Sequence, residues 1–185
     1  MKLLSTSLLS LLLISTTCFG ASVATEQQDI KAMRKEVLER LYKEEPGARK
    51  EIRRAAGYGV FSNVGVNLVF FSAAGGNGVV RDNTNKRDIY MNMASAGLGI
   101  GLGIKDFRGV FVFHDREALD NFVEKGWDFS GQADAAVKSG KKGDEASGSA
   151  TVIPGVTVYQ LTENGIALQA TLQGTKYWKS KRLNQ

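Results

Sequence analysis

The sequence predicts an α+β protein that is mainly β, with a small antiparallel, β-barrel-like core and about three surface helices. Apolar residues recur at helical spacing in three segments only, near 26–44, 46–56 and 116–125. The rest, about 58–173, carries short β-branched and aromatic runs separated by turn formers. Of the 21 glycines, 11 lie between Gly57 and Gly109, where strands must bend or approach one another closely. The length of 185 residues, with 43% hydrophobic and 23% charged, suits one domain and excludes wholesale disorder. One cysteine and one histidine exclude a disulfide framework, a zinc ribbon or finger, and any Cys/His cluster.

Residues 1–24 read as an export signal, leaving 25–185 as a single domain. Lys2 supplies the positive start, Leu3 to Ile14 the mostly apolar run, and Ser22-Val23-Ala24 the small residues before a cut. The run is short for a transmembrane helix, and no later segment is long and apolar enough to span a membrane. The alternatives are a buried N-terminal helix and a lipoprotein signal acylated at Cys18. Ser15-Thr16-Thr17 fits the lipoprotein pattern poorly. A soluble, exported, periplasmic protein is expected.

The first helix carries Ile30, Met33, Val37, Leu38, Leu41 and Tyr42 on one stripe, with Thr25 and Gln28 placed for a capping box. Lys35–Glu39 and Arg40–Glu44 are i,i+4 pairs on its polar face. Pro46 suits the first turn of the second helix, and Gly57 suits its end. That helix has Ala48, Ile52, Ala55 and Ala56 on one side, with Arg49, Lys50, Arg53 and Arg54 beside them.

Tyr58–Val64 and Val66–Phe71 read as strands, Gly75-Gly76-Asn77-Gly78 as a mobile loop or wide turn, and Val79–Arg81 as a short strand. Asp82–Lys86 reads as a turn, and Ile89, Met91 and Met93 alternate as in a strand. Glycines at 97, 99, 101 and 103 give a strand with one bare face, suited to bending, to tight packing or to close approach of a ligand. Val110–Phe113 is a strand, Asp115 caps the third helix and Gly126 ends it. Ala133, Ala135 and Val137 suggest a further strand, and 139–149 a polar loop. Asn164-Gly165 marks a hairpin between Val156–Leu161 and Ile166–Leu172.

Signs of catalysis are sparse. Gly75–Gly78 leads into a strand instead of a helix N-terminus, so it is a weak match to a phosphate cradle, and the series at 97–103 lacks dinucleotide-binding spacing and a following helix. No Gly-x-Ser-x-Gly occurs, and the sole imidazole, His114, stands at a strand end before an Asp, where a structural role is expected. A carboxylate pair assembled only in three dimensions would escape this reading. A non-enzyme without cofactor or metal is expected.

Several short motifs together resemble the SYLF domain family of lipid-binding modules. They are Pro46-Gly47-Ala48-Arg49, then Ala55-Ala56-Gly57-Tyr58-Gly59-Val60-Phe61, Gly75-Gly76-Asn77-Gly78-Val79-Val80, the glycines at 97–103, the Asp115–Phe122 segment, Tyr159, and the stretch from Gly165 through Gly174. The resemblance covers nearly all of 25–185. It implies a barrel-like core with surface helices, binding of anionic phospholipid head groups, and no catalysis.

Charge is unevenly placed. Residues 46–56 carry +3, from four basic residues and one acidic, and 174–185 carry +4 from four basic residues alone. The candidate lipid-binding residues are therefore Arg49, Lys50, Arg53 and Arg54, Lys141 and Lys142 in the polar loop, and Lys176, Trp178 and Lys179 near the end. Each patch is equally readable as solvated surface, and Tyr177-Trp178 as the end of a strand. The expected partner is an anionic phospholipid or membrane surface. The alternative is an envelope scaffold that binds proteins through the 75–78 and 139–149 loops. Nucleic acid is disfavoured by export and by the modest net charge of +5. Mass spectrometry of the exported protein should read Thr25 as its first residue. An acylated Cys18 would instead make it membrane-anchored.

Overall fold

The computed structural model describes residues 22–68, 71–97, 108–128, 149–162, 165–167 and 175–185. The expected strand around Ala133–Val137, most of the polar loop after it, Gly99–Gly103, Lys141 and Lys142 lie outside these residues, as does most of the signal segment. The described chain is α+β and mainly β, as the sequence predicts. Three helices, α1 (Val23–Glu44), α2 (Ala48–Arg54) and α3 (Arg116–Lys125), accompany nine strands. The strands are β1 (Gly57–Leu68), β2 (Phe71–Asp82), β3 (Asp88–Gly97), β4 (Arg108–Phe113), β5 (Trp127–Asp128), β6 (Ser149–Ile153), β7 (Val156–Thr162), β8 (Gly165–Ala167) and β9 (Thr175–Lys179).

They form one antiparallel sheet in the order β5-β9-β3-β2-β1-β4-β7-β6, with β8 also on β7. The sheet curls round α3. Phe61 (β1), Val80 (β2), Met91 (β3), Phe111 (β4), Val158 (β7) and Tyr177 (β9) all join Leu119, Phe122 and Val123 in one cluster. Residues of six strands can share one cluster with a ten-residue helix only if the sheet wraps it, so the core is a curled half-barrel. The opposite, outer face is covered by α1 and α2. Val37, Leu41, Ala48, Ile52 and Ala55 pack there on Val60, Val110, Val112, Tyr159 and Leu161. The sheet is therefore sandwiched, with α3 inside the curl and two helices outside.

α3 follows its sequence signals closely. Asp115 accepts from the Ala118 N–H at 2.8 Å, and Gly126 adopts φ +69° after the last turn. α1 starts earlier than the periodicity suggests. Its N-cap is Ser22, whose hydroxyl accepts from Thr25 N–H, so the Thr25 capping box does not form. The expected pairs Lys35–Glu39 and Arg40–Glu44 are present at 3.9 and 2.9 Å. α2 is shorter than expected. Pro46 lies in the preceding turn, and Ala55 already turns extended after the last helical residue, so Gly57 belongs to β1 and does not end the helix.

The largest departure concerns Gly75–Gly78, which is no loop. It lies within β2, and β1 is one strand where two runs were expected. Gly76 and Gly78 stand there because the inner face needs bare backbone, whereas Gly75 and Asn77 face outward. Gly78 pairs with Phe61, and a Cβ on it would stand 2.3 Å from the Val60 carbonyl oxygen and 2.4 Å from the Phe61 ring. The ring lies over this gap and meets Phe111, Phe122 and Tyr177 edge-on at centroid distances of 5.5, 5.8 and 4.9 Å. The expected hairpin forms, but Thr162 pairs with Gly165, so Gly165 opens β8 instead of sitting in the turn.

The basic C-terminal stretch is fixed in place. β9 lies between β3 and β5, Leu183 is buried with Ile30, Val79 and Tyr90, and Asn184 bonds both main-chain groups of Tyr90. Gly78→Ala should cost about 1–3 kcal/mol in urea unfolding, because backbone and a buried ring must yield. Gly75→Ala, whose Cβ would meet nothing within 4 Å, should stay within about 0.5 kcal/mol of the parent.

Candidate functional site

α2 is held by its small and apolar side. Ala48, Ile52 and Ala55 are buried, which turns Arg49, Lys50, Arg53 and Arg54 outward, all exposed. Among the described residues none of these four makes an ion pair. The Arg49 guanidinium lies 4.3 Å from the centre of the Tyr42 ring, a cation–π contact that stiffens one side chain without neutralising it. Burial raises the Tyr42 phenol, with Tyr58 adding to the rise and Arg49 opposing it.

A cleft of about 520 Å³ opens beside α2, lined by Lys50, Glu51, Arg54, Glu45, His114 and Tyr159 among others. Glu51 points into the fold, where it accepts from the Tyr159 hydroxyl and lies 3.3 Å from His114 Nε2. The same Nε2 is 2.7 Å from Thr157 Oγ1. Glu51 is thus held by β7 and the end of β4, while Lys50 and Arg54 stand free at the rim. His114 thus joins α2 to β7 through Glu51 and Thr157. Its partners sit 63 residues earlier and 43 later in the chain, beyond the reach of any local pattern.

The turn after β2 fixes α2 and α3 together. Asn83 Nδ2 donates to the carbonyls of Ile52 and Ala55, satisfying the free end of α2. Asp82 is 1% exposed and accepts from the main chain of Thr84 at 2.8 Å and Asn85 at 3.3 Å, and from Arg116 of α3 at 2.7 Å. Burial pushes the Asp82 carboxyl up, but these donors outweigh it and hold it below its ordinary 3.8. The sequence marks 82–86 as a turn. It does not reveal that the turn sets the orientation of the basic helix.

The β9 candidates are placed differently. Lys176 pairs with Asp128 at 3.6 Å and Lys179 with Glu124 at 3.3 Å, while Arg182 pairs with Glu26. Most of the C-terminal charge is therefore matched. Trp178 is exposed, but it lies on β9, three strands beyond β1 in the sheet order. The structure brings Arg49, Lys50, Arg53 and Arg54 together and leaves Lys176, Trp178 and Lys179 as a separate region. The expected scaffold contact at Gly75–Gly78 falls away as a loop, since those residues are strand.

Among the described residues, no group of three or more His, Cys, Asp or Glu is placed to hold a metal ion, and no helix is long and apolar enough to cross a membrane. Fold and site define an antiparallel α+β protein with one unpaired basic helix on the outer face of a curled sheet. No family model matches the chain. Over 156 residues, 84% of the chain, it is 34% identical to Beta cell expansion factor A of Aeromonas veronii, and it spans 58% of that protein's length.

Because the folded Asp82 carboxyl titrates below its ordinary value, its contribution is complete above that value and is lost as pH falls through the depressed one. Asp82→Asn should cost about 1–3 kcal/mol near neutral pH. Urea unfolding at lower pH should show the gap to the parent narrowing below about pH 4.

Proposed function

We propose that the chain is an exported, SYLF-like, non-enzymatic envelope protein that weakly binds anionic phospholipid head groups through α2. In this reading residues 1–24 are removed as a signal, which takes the Ser22 cap, Val23 and Ala24 off the start of α1 and leaves Thr25 as the first residue of that helix, and the protein works in the periplasm. The observation that carries it is the contrast in pairing. Arg49, Lys50, Arg53 and Arg54 stand exposed and, among the described residues, free of ion pairs, while Lys176, Lys179 and Arg182 are each matched by a carboxylate. Cations left unpaired on one short, well-anchored helix are available to a surface of opposite sign, at about 1 kcal/mol each near an anionic membrane.

The absence of catalysis in this reading is supported by the geometry at His114. Thr157 Oγ1 and Glu51 Oε1 both face the same nitrogen, Nε2. The imidazole therefore cannot pass a proton from the hydroxyl through its other nitrogen to the carboxylate, as a triad does. Thr157 is also only 8% exposed.

Flotation with phosphatidylglycerol and phosphatidylcholine vesicles tests the proposal. Binding should require phosphatidylglycerol and fall with salt. Lys50→Glu with Arg54→Glu should weaken it roughly 30-fold or more at low salt. Equal recovery with both vesicles, or no effect of the double variant, would overturn it.

A further inference from the structure

One row of side chains crosses the outer face of the sheet without polar partners among the described residues. Trp178 of β9 pairs with Asn92 of β3, Asn92 with Asn77 of β2, and Asn77 with Ser62 of β1. They stand on the same face as Tyr90, Val79 and Val60, which α1 covers, but one step further along each strand. Ser62, Asn77 and Asn92 are half-buried, and Trp178 is 39% exposed. Among the described residues, none of the four side chains makes a hydrogen bond or ion pair.

The surroundings restrict what could lie there. At one end Arg108 pairs with Ser62 in the sheet and is neutralised by Glu36 of α1. Beyond Trp178, Lys176 is matched by Asp128 at 3.6 Å. The two cations that flank the row in the sheet are therefore both matched by carboxylates. On the side away from α1, Gly75 and Ala94 are exposed, and a Cβ at Gly75 would meet nothing within 4 Å. The platform is thus walled by α1 on one side and left low on the other.

We propose that this row binds a neutral, linear oligosaccharide lying across the strands. An indole face accepts the C–H face of a pyranose ring, while each Asn amide offers both a donor and an acceptor to neighbouring hydroxyls. Ser62 adds one hydroxyl. The strands repeat every ~4.8 Å, close to the advance of one ring along an extended glycan. A purely apolar ligand would strand three polar side chains, and an anionic one would find its cations already taken. The site is distinct from α2, so it stands or falls separately from the membrane reading.

The test uses ¹⁵N–¹H spectra of the full protein, titrated with cellohexaose and chitohexaose. The Trp178 indole N–H and the side-chain amides of Asn77 and Asn92 should shift with at least one sugar, while the Trp127 indole, packed on Phe122, stays still. Trp178→Ala should weaken binding about tenfold. Trp178→Phe should retain part of it, and Asn77→Ala with Asn92→Ala should weaken it again. Near-UV circular dichroism of the Phe61 cluster checks that each variant is folded. No shifts at millimolar sugar, shifts elsewhere on the protein, unchanged binding by folded Trp178→Ala, or a Trp178 response confined to phosphatidylglycerol vesicles would each overturn the proposal.

Discussion

The fold depends on an aromatic ring laid against bare backbone. Phe61 occupies the inner face of β1, with Gly78 directly across on β2 and Gly59 two residues before it on the same strand. A side chain at Gly78 would hold the ring off the sheet. Without one, the ring lies low enough for Phe122 of α3 and Tyr177 of β9 to close over it. The curl of the sheet, the seat of α3 and the position of β9 all follow from that close approach. The outer face inherits its shape from the same curl, and it is there that α1 and α2 lie.

The basic helix is fixed by a second, polar device. α2 has seven residues and too little surface to hold itself in place. Three buried side chains seat it, and Asn83 closes its last carbonyls. The same turn reaches α3 through Asp82 and Arg116. One tight turn thus links the helix inside the curl to the helix outside it, across the end of the sheet. The four cations of α2 owe their fixed direction to residues that carry no charge of their own and to one carboxylate buried behind them.

Much of this was legible where the physical signal is local. Asp115 and Gly126 delimit α3, because a capping side chain and a left-handed glycine act within a few residues. The alternation of Ile89, Met91 and Met93 marks the inner face of β3, since neighbouring side chains in a strand point opposite ways. The glycines at 75–78 misled for an equally physical reason. The same absence of a Cβ serves a turn and a tightly covered strand, and only the partner, Phe61, decides between them. Ser22 supplanted Thr25 as the cap because both fit the local pattern. At the candidate site, the four α2 cations could be read from composition. Which basic residues are neutralised could not, because Arg182 meets Glu26 and Lys179 meets Glu124 only through the folded topology.

The last residues return to the first helix. Arg182 pairs with Glu26, Gln27 donates to the Leu183 carbonyl at 2.8 Å, and Leu183 packs with Ile30. The two ends of the described chain are thus spatial neighbours, and a short flexible bridge could join them into a ring. The order of the strands in space would not change in such a circle, since the packing that fixes it lies elsewhere. A new opening at the exposed turn around Thr84–Lys86 would leave the contacts between these two ends intact.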